Sequence, residues 1–152
     1  MTVDADLADL LQGLPAIACD EQAIVFVTVD EHGYLNPALL SRAELDVSAS
    51  GALLAVVASP RTKANLGRDG AATLVAVHGT VAHYAKLREI ARIEEGALLG
   101  VACEVIEHKR DSLGIELTPI TFRPSETIAQ LEHWKTSTRL LRALKALPTP
   151  LT

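Results

Sequence analysis

The sequence predicts a mainly β, α+β fold. It consists of an antiparallel, barrel-like sheet of six or seven strands, with a short N-terminal helix, an elbow helix near residues 60–68 and a C-terminal helix. Three observations lead there. Short apolar, β-branched runs recur between turn-forming residues, sustained helical periodicity is confined to few stretches, and one Ser-Pro step between two such runs carries the start signal of a helix.

Leu7, Leu10, Leu11 and Leu14 fall at helical spacing over Asp6 to Leu14, and Gly13 with Pro15 ends the pattern. Ala23 to Val29 is β-rich. Asp30-Glu31-His32-Gly33 supplies a polar, Gly-ended turn into residues 34–40, so a hairpin is expected. Ser48-Ala49-Ser50-Gly51 precedes a strand over Ala52 to Ala58, and another strand runs from Ala72 to Val77. Residues 80–93 fit either pattern: Val81, Tyr84, Leu87 and Ile90 keep helical spacing, while the Tyr, Val and Ile content favours a strand, which is the reading adopted. Val101 to Ile106 and the alternating Ile115 to Phe122 complete the set, with Pro119 placing the last at an edge or bulge. Ser125 is an N-cap candidate for a continuous helix over residues 126–146, stopped by Pro148.

At 152 residues and 16.2 kDa the chain is expected to form a single domain over 1–152, with its core in 23–123. Mean hydropathy of +0.23 is slightly high for a monomer and points to a buried subunit interface. The acidic first residues and the lack of a long apolar run argue against a secretory leader and a membrane span, so a cytoplasmic protein with no membrane partner is expected. A net charge of −5 excludes an extended nucleic-acid surface, which needs clustered cations. Cys19 and Cys103 read as ordinary buried thiols. The five histidines show no ligand spacing, so no metal is expected unless folding alone assembles a site. GxSxG, GxGxxG and Walker patterns are absent.

Ser59-Pro60-Arg61-Thr62-Lys63-Ala64-Asn65 is the segment richest in chemistry. Ser59 suits an N-cap and Pro60 the first helical position. The helix start would then expose N–H groups beside Arg61, Thr62 and Lys63, all donors, which suits either a phosphate or a solvated, capped surface helix.

Three stretches together resemble the FMN-binding split barrels related to pyridoxamine 5′-phosphate oxidase. They are Val25 to Pro37, a strand ending in Asp before a Gly turn and a polar-plus-Pro pair; Ser59 to Gly70 running into Ala71-Ala72-Thr73-Leu74-Val75; and Ala102 to Asp111 followed by Ile120-Thr121-Phe122. The resemblance covers roughly residues 23 to 123. It implies a homodimer with a flavin at each of two interfacial sites. Ser59, Arg61, Thr62, Lys63 and Asn65 would take the phosphate and ribityl chain, Val56, Val57 and Ala58 the ring edge, and Leu39, Leu40 and Ser41 the neighbouring wall. A flavin-dependent oxidoreductase acting on a small-molecule substrate or electron donor follows. The Arg and His positions that grip a substrate phosphate near the family's C-terminus are missing, which puts pyridoxamine phosphate in doubt as the substrate. Two alternatives share the cleft: a deazaflavin-dependent reductase, and a flavin-binding or assembly module without turnover.

Lys135, Arg139, Arg142 and Lys145 recur on one face of the C-terminal helix, either as a solvated face complementing the helix dipole or as an attractor of an anionic ligand. Trp134 is expected either to cover a planar ring or, with Ile128, Leu131, Leu141 and Leu144, to dock the helix. No catalytic acid or base stands out; His78, His83 and Tyr84 lie on strands without an assigned role.

Overall fold

The computed structural model describes residues 2–148. In chain order the elements are α1 (Ala5–Leu11), β1 (Glu21–Gln22), β2 (Ile24–Val29), β3 (Leu35–Leu40), a 3-10 turn (Arg42–Glu44), β4 (Leu45–Val47), β5 (Leu53–Val57), α2 (Pro60–Asp69), β6 (Ala71–His78), β7 (Val81–Glu95), β8 (Leu98–Ser112), β9 (Thr121–Phe122), α3 (Glu126–Leu131) and α4 (Trp134–Lys145). Seven strands form one antiparallel sheet in the order β3-β2-β6-β7-β8-β5-β4, curled into a split barrel.

Alternation along the strands sets the two sides of this sheet. In β5 every residue is buried: Leu53, Ala55 and Val57 face the main core with Phe26, Leu74 and Val101, while Leu54 and Val56 pack under Leu140, Leu141 and Leu144 of α4. A strand covered on both sides reads as a continuous apolar run. Gly100 on β8 lets α4 approach closely, since a Cβ there would stand 3.1 Å from Leu144 Cδ1. Leu7 and Leu11 of α1 join the barrel core.

The β2–β3 hairpin turns as expected. Asp30 Oδ1 accepts from His32 N and Tyr34 N, both at 2.9 Å, and Gly33 supplies the positive φ of 86°. Residues 81–95 are strand, which settles the ambiguous stretch: β7 pairs with β6 over Val81 to Arg88 and with β8 over Val81 to Glu95, a ladder that helical spacing of four residues cannot outweigh.

Four expectations need correction. Residues 115–120 are not a strand of the main sheet: Gly114 takes a positive φ, Pro119 lacks a donor and residues 113–118 are exposed, so only Thr121–Phe122 pair, with Glu21–Gln22, in a separate two-stranded ribbon. The seventh strand is instead Leu45–Val47, too short to show a period. The C-terminal helix is broken, because His133 sits in the left-handed region at φ 56° between α3 and α4; Leu131 is then left exposed and does not dock. Cys19 is exposed, whereas burial pushes the Cys103 thiol up to about 12.

Candidate functional site

The elbow after β5 builds one wall of the site. Ser59 caps α2 through Oγ, which accepts from Thr62 N at 3.4 Å, and Pro60 holds the first helical position. Inside, Asn65 Nδ2 donates to Thr28 Oγ1 at 2.9 Å, and Asn36 Nδ2 donates to Thr62 Oγ1 at 3.1 Å. Thr28, Thr62 and Asn65 are fully buried or nearly so. These bonds pin α2 across β2 and β3. They also consume the Asn65 amide, which faces the protein interior rather than the elbow surface. Lys63 Nζ donates to Ala97 O at 2.7 Å, and Arg61 is exposed at the helix start.

Beside the elbow lies a cavity of about 170 Å³, lined at the expected positions by Leu39, Leu40, Val56, Val57, Ala58, Ser59 and Thr62. A second cavity of about 180 Å³ adjoins it, sharing Leu39, Leu40, Glu44 and Glu132 and adding Ser41 and Trp134. The structure thus brings nine of the expected positions around one double cleft. Arg61, Lys63 and Asn65 do not line it. Leu39 is largely exposed and forms its rim.

Glu44, Glu132 and Ser137 were not legible as site residues. Ser41 and Glu44 form a capping box, Ser41 N donating to Glu44 Oε2 at 2.7 Å, and that S-x-x-E spacing signals a turn without revealing burial. Burial pushes the Glu44 carboxyl up to about 7 against the lowering effect of the Ser41 backbone bond, and the nearby Glu132 charge adds to the rise. Trp134 Nε1 and Ser137 Oγ, on the first turn of α4, are buried without a hydrogen-bond partner among the described residues.

The basic face of the C-terminal helix turns elsewhere. Arg139 pairs with Glu95, Lys145 Nζ lies 2.7 Å from Asp46, and none of Lys135, Arg139, Arg142 or Lys145 lines the double cleft. Its cations are spent on ion pairs and solvent. His78, His83 and Tyr84 also lie outside the cleft lining.

Folding does assemble one His-rich cluster. His83 Nδ1 is 2.9 Å from His108 Nε2, His108 Nδ1 is 3.4 Å from Asp4 Oδ2, and Arg110 Nη1 donates to that same oxygen at 2.9 Å. The nitrogens point at one another in a chain, and the guanidinium already occupies the carboxylate, so the arrangement ties the N-terminal segment to the long hairpin rather than presenting a chelate.

No protein-family model matches the chain, and no curated protein sequence does. Solved structures do. HupZ of Group A Streptococcus superposes with a TM-score of 0.56 at 12% identity, over 77% of this chain and 100% of that one. A flavin reductase with a split barrel domain, described as putative, from Shewanella frigidimarina gives 0.52 at 11%, over 82% and 91%. An FMN-binding protein from Syntrophomonas wolfei gives 0.50 at 16%, over 72% and 89%. At these identities the likeness establishes the split-barrel fold. No helix among the described residues is long and apolar enough to cross a membrane.

Proposed function

We propose that the chain binds FMN in the double cleft, at the interface of a homodimer, and works as a small flavin-dependent oxidoreductase. The observation that carries this reading is the position of the cleft: it opens directly beside a capped helix start, on the fold that an FMN-binding protein and flavin reductases share.

The residues fit such a group. At the helix start the Ser59 bond to Thr62 N is long, Arg61 has no hydrogen-bond or ion-pair partner among the described residues, and its exposed guanidinium, near the Asp30 charge, can meet a phosphate in bidentate fashion. Lys63 reaches the same end by releasing the Ala97 carbonyl. The end of β5, Val56 to Ala58, offers backbone groups to a ring edge, and Leu39 and Leu40 give it an apolar floor. Neither cavity alone approaches the roughly 300 Å³ of a small-molecule site. A second copy completes the wall: Tyr34, Leu35 and Leu39 along the edge strand β3 and its turn are all more than half exposed, an apolar strip that a dimer would cover.

When bound, the flavin would supply the hydride or electron transfer. The protein's part is to hold the phosphate at α2, keep water from the ring with Leu39, Leu40 and the β5 backbone, and set the local polarity through Glu44. Replacing Arg61 and Lys63 together by Ala is expected to weaken FMN by about tenfold or more, the scale of charge-assisted hydrogen bonds, with riboflavin nearly unaffected. Equal losses for the two ligands contradict the phosphate assignment. A parallel titration with a deazaflavin decides between the two cofactor classes.

A further inference from the structure

Glu44 lines both halves of the cleft, is buried, and has no cationic partner among the described residues. Its Oε2 is held by Ser41 N at 2.7 Å and Ser41 Oγ at 3.4 Å, which fixes the carboxyl group and leaves Oε1 for whatever fills the cavities. The charged groups around it are few. Glu132, at the junction of α3 and α4, borders the same two cavities, and Arg42 in the same turn is closed on Glu21 at 2.5 Å. The walls from β3, β5, β9 and α4 carry no charge: Leu39, Leu40, Val57, Phe122, Trp134 and Ser137.

Two carboxyl groups and no cation make this part of the cleft hostile to an anion. The donor this part of the cleft offers is Glu44 whenever it carries its proton, while Trp134 Nε1 and Ser137 Oγ lie buried behind its walls without a hydrogen-bond partner among the described residues. We infer that the double cleft reads the acceptor edge of a neutral planar heterocycle, with Glu44 donating from Oε1 to a ring carbonyl or ring nitrogen, so that filling the cleft takes up a proton from solvent. The inference rests on the flavin reading, since an isoalloxazine is such a heterocycle, and it assigns the ring and the phosphate to opposite ends of the site. Burial holds the empty-cleft carboxyl near pH 7, where both forms are populated, and the neighbouring Glu132 charge favours the neutral one. A ligand that bonds to the neutral form draws the remaining molecules into it.

The test is calorimetric titration of the full-length protein with riboflavin, which lacks a titrating phosphate, in two buffers of different ionisation heat, with FMN run alongside. The expected result is uptake of about half a proton per site at pH 7, rising toward one at pH 8, with affinity falling up to about tenfold per pH unit above 7. Glu44→Gln keeps an N–H donor and is expected to bind with no uptake and a flat pH profile, whereas Glu132→Gln keeps the uptake. Riboflavin binding to the wild type without proton uptake, or unchanged uptake in Glu44→Gln, overturns the inference and leaves the flavin reading standing. Failure of both riboflavin and FMN to bind overturns the flavin reading and the inference together.

Discussion

Asn65 is buried on α2, with Nδ2 on Thr28 Oγ1 and Oδ1 accepting from Arg68 Nη1 at 3.2 Å. The family resemblance gives it a place on the ribityl chain; the hydrogen bonds give it a structural task. Asn65→Ala is therefore expected to cost about 1–3 kcal/mol in chemical denaturation, by leaving the buried Thr28 hydroxyl only the longer 3.4 Å bond from Asn36 Nδ2, and to change FMN and riboflavin affinity by the same factor. A selective loss of FMN would return Asn65 to the phosphate. Glu44 makes a second residue-level prediction. Its folded-state value is raised from 4.5 to about 7, so the native state binds more protons than the unfolded chain in that window and stability falls as pH rises through it. Denaturation profiles of Glu44→Gln are expected to gain on the wild type by up to about 3 kcal/mol between pH 5 and 7 and to run parallel above it. Neither residue's environment is legible in sequence. A type and a spacing were available, but the burial that spends an amide internally or neutralises a carboxylate arises from strands and helices distant in the chain.

At the level of elements, the start of α1 is tied to β8 by two carboxylates, Asp4 and Asp6, the second accepting from Arg110 Nη2 at 2.7 Å. Asp4 Oδ1 caps Leu7 N at 3.0 Å, and Oδ2 meets Arg110 and His108. Burial alone would raise the Asp4 carboxyl, but the bonds from Leu7 N and Arg110, helped by His108, outweigh it and hold the group below its ordinary 3.8. A lowered value stabilises the fold above the unfolded-state value and loses that contribution as pH falls through the folded one. Asp4→Ala is expected to cost about 1–2 kcal/mol at pH 7 by loss of the cap, with a smaller gap to the wild type at pH 3 in urea denaturation. Local signals of this kind made the elements readable: Ser59 and Ser125 cap the helices assigned to them, and the runs at 23–29, 52–58 and 72–77 are strands within a residue or two. Reading failed where tertiary pairing decided. Residues 115–120 alternate like a strand and find no ladder, residues 45–47 show no period and close the sheet edge, and the left-handed His133 follows no Gly or Pro signal.

For the whole molecule the decisive features are a sheet with α4 on its outer face and an exposed apolar edge along β3. Leu35 is 70% exposed on that edge and does not line the cleft. Leu35→Glu is thus expected to give a monomer in sedimentation and, if a second copy completes the site, to weaken FMN binding by about tenfold or more, since a charge placed in an apolar interface costs several kcal/mol unless paired. A monomer with full affinity would locate the whole site in one copy. The split-barrel architecture was legible because binary patterning and turn chemistry agree along most of the chain, whereas the double cleft was legible only at Leu39 to Ser41, Val56 to Ser59, Thr62 and Trp134. The measurement that bears most directly on the central claim is an FMN titration of the purified protein followed by flavin fluorescence. Saturable quenching at one FMN per chain, shifted about tenfold or more to higher concentration in the variant carrying Arg61→Ala and Lys63→Ala, is the predicted result; no saturable change with either FMN or a deazaflavin would contradict it.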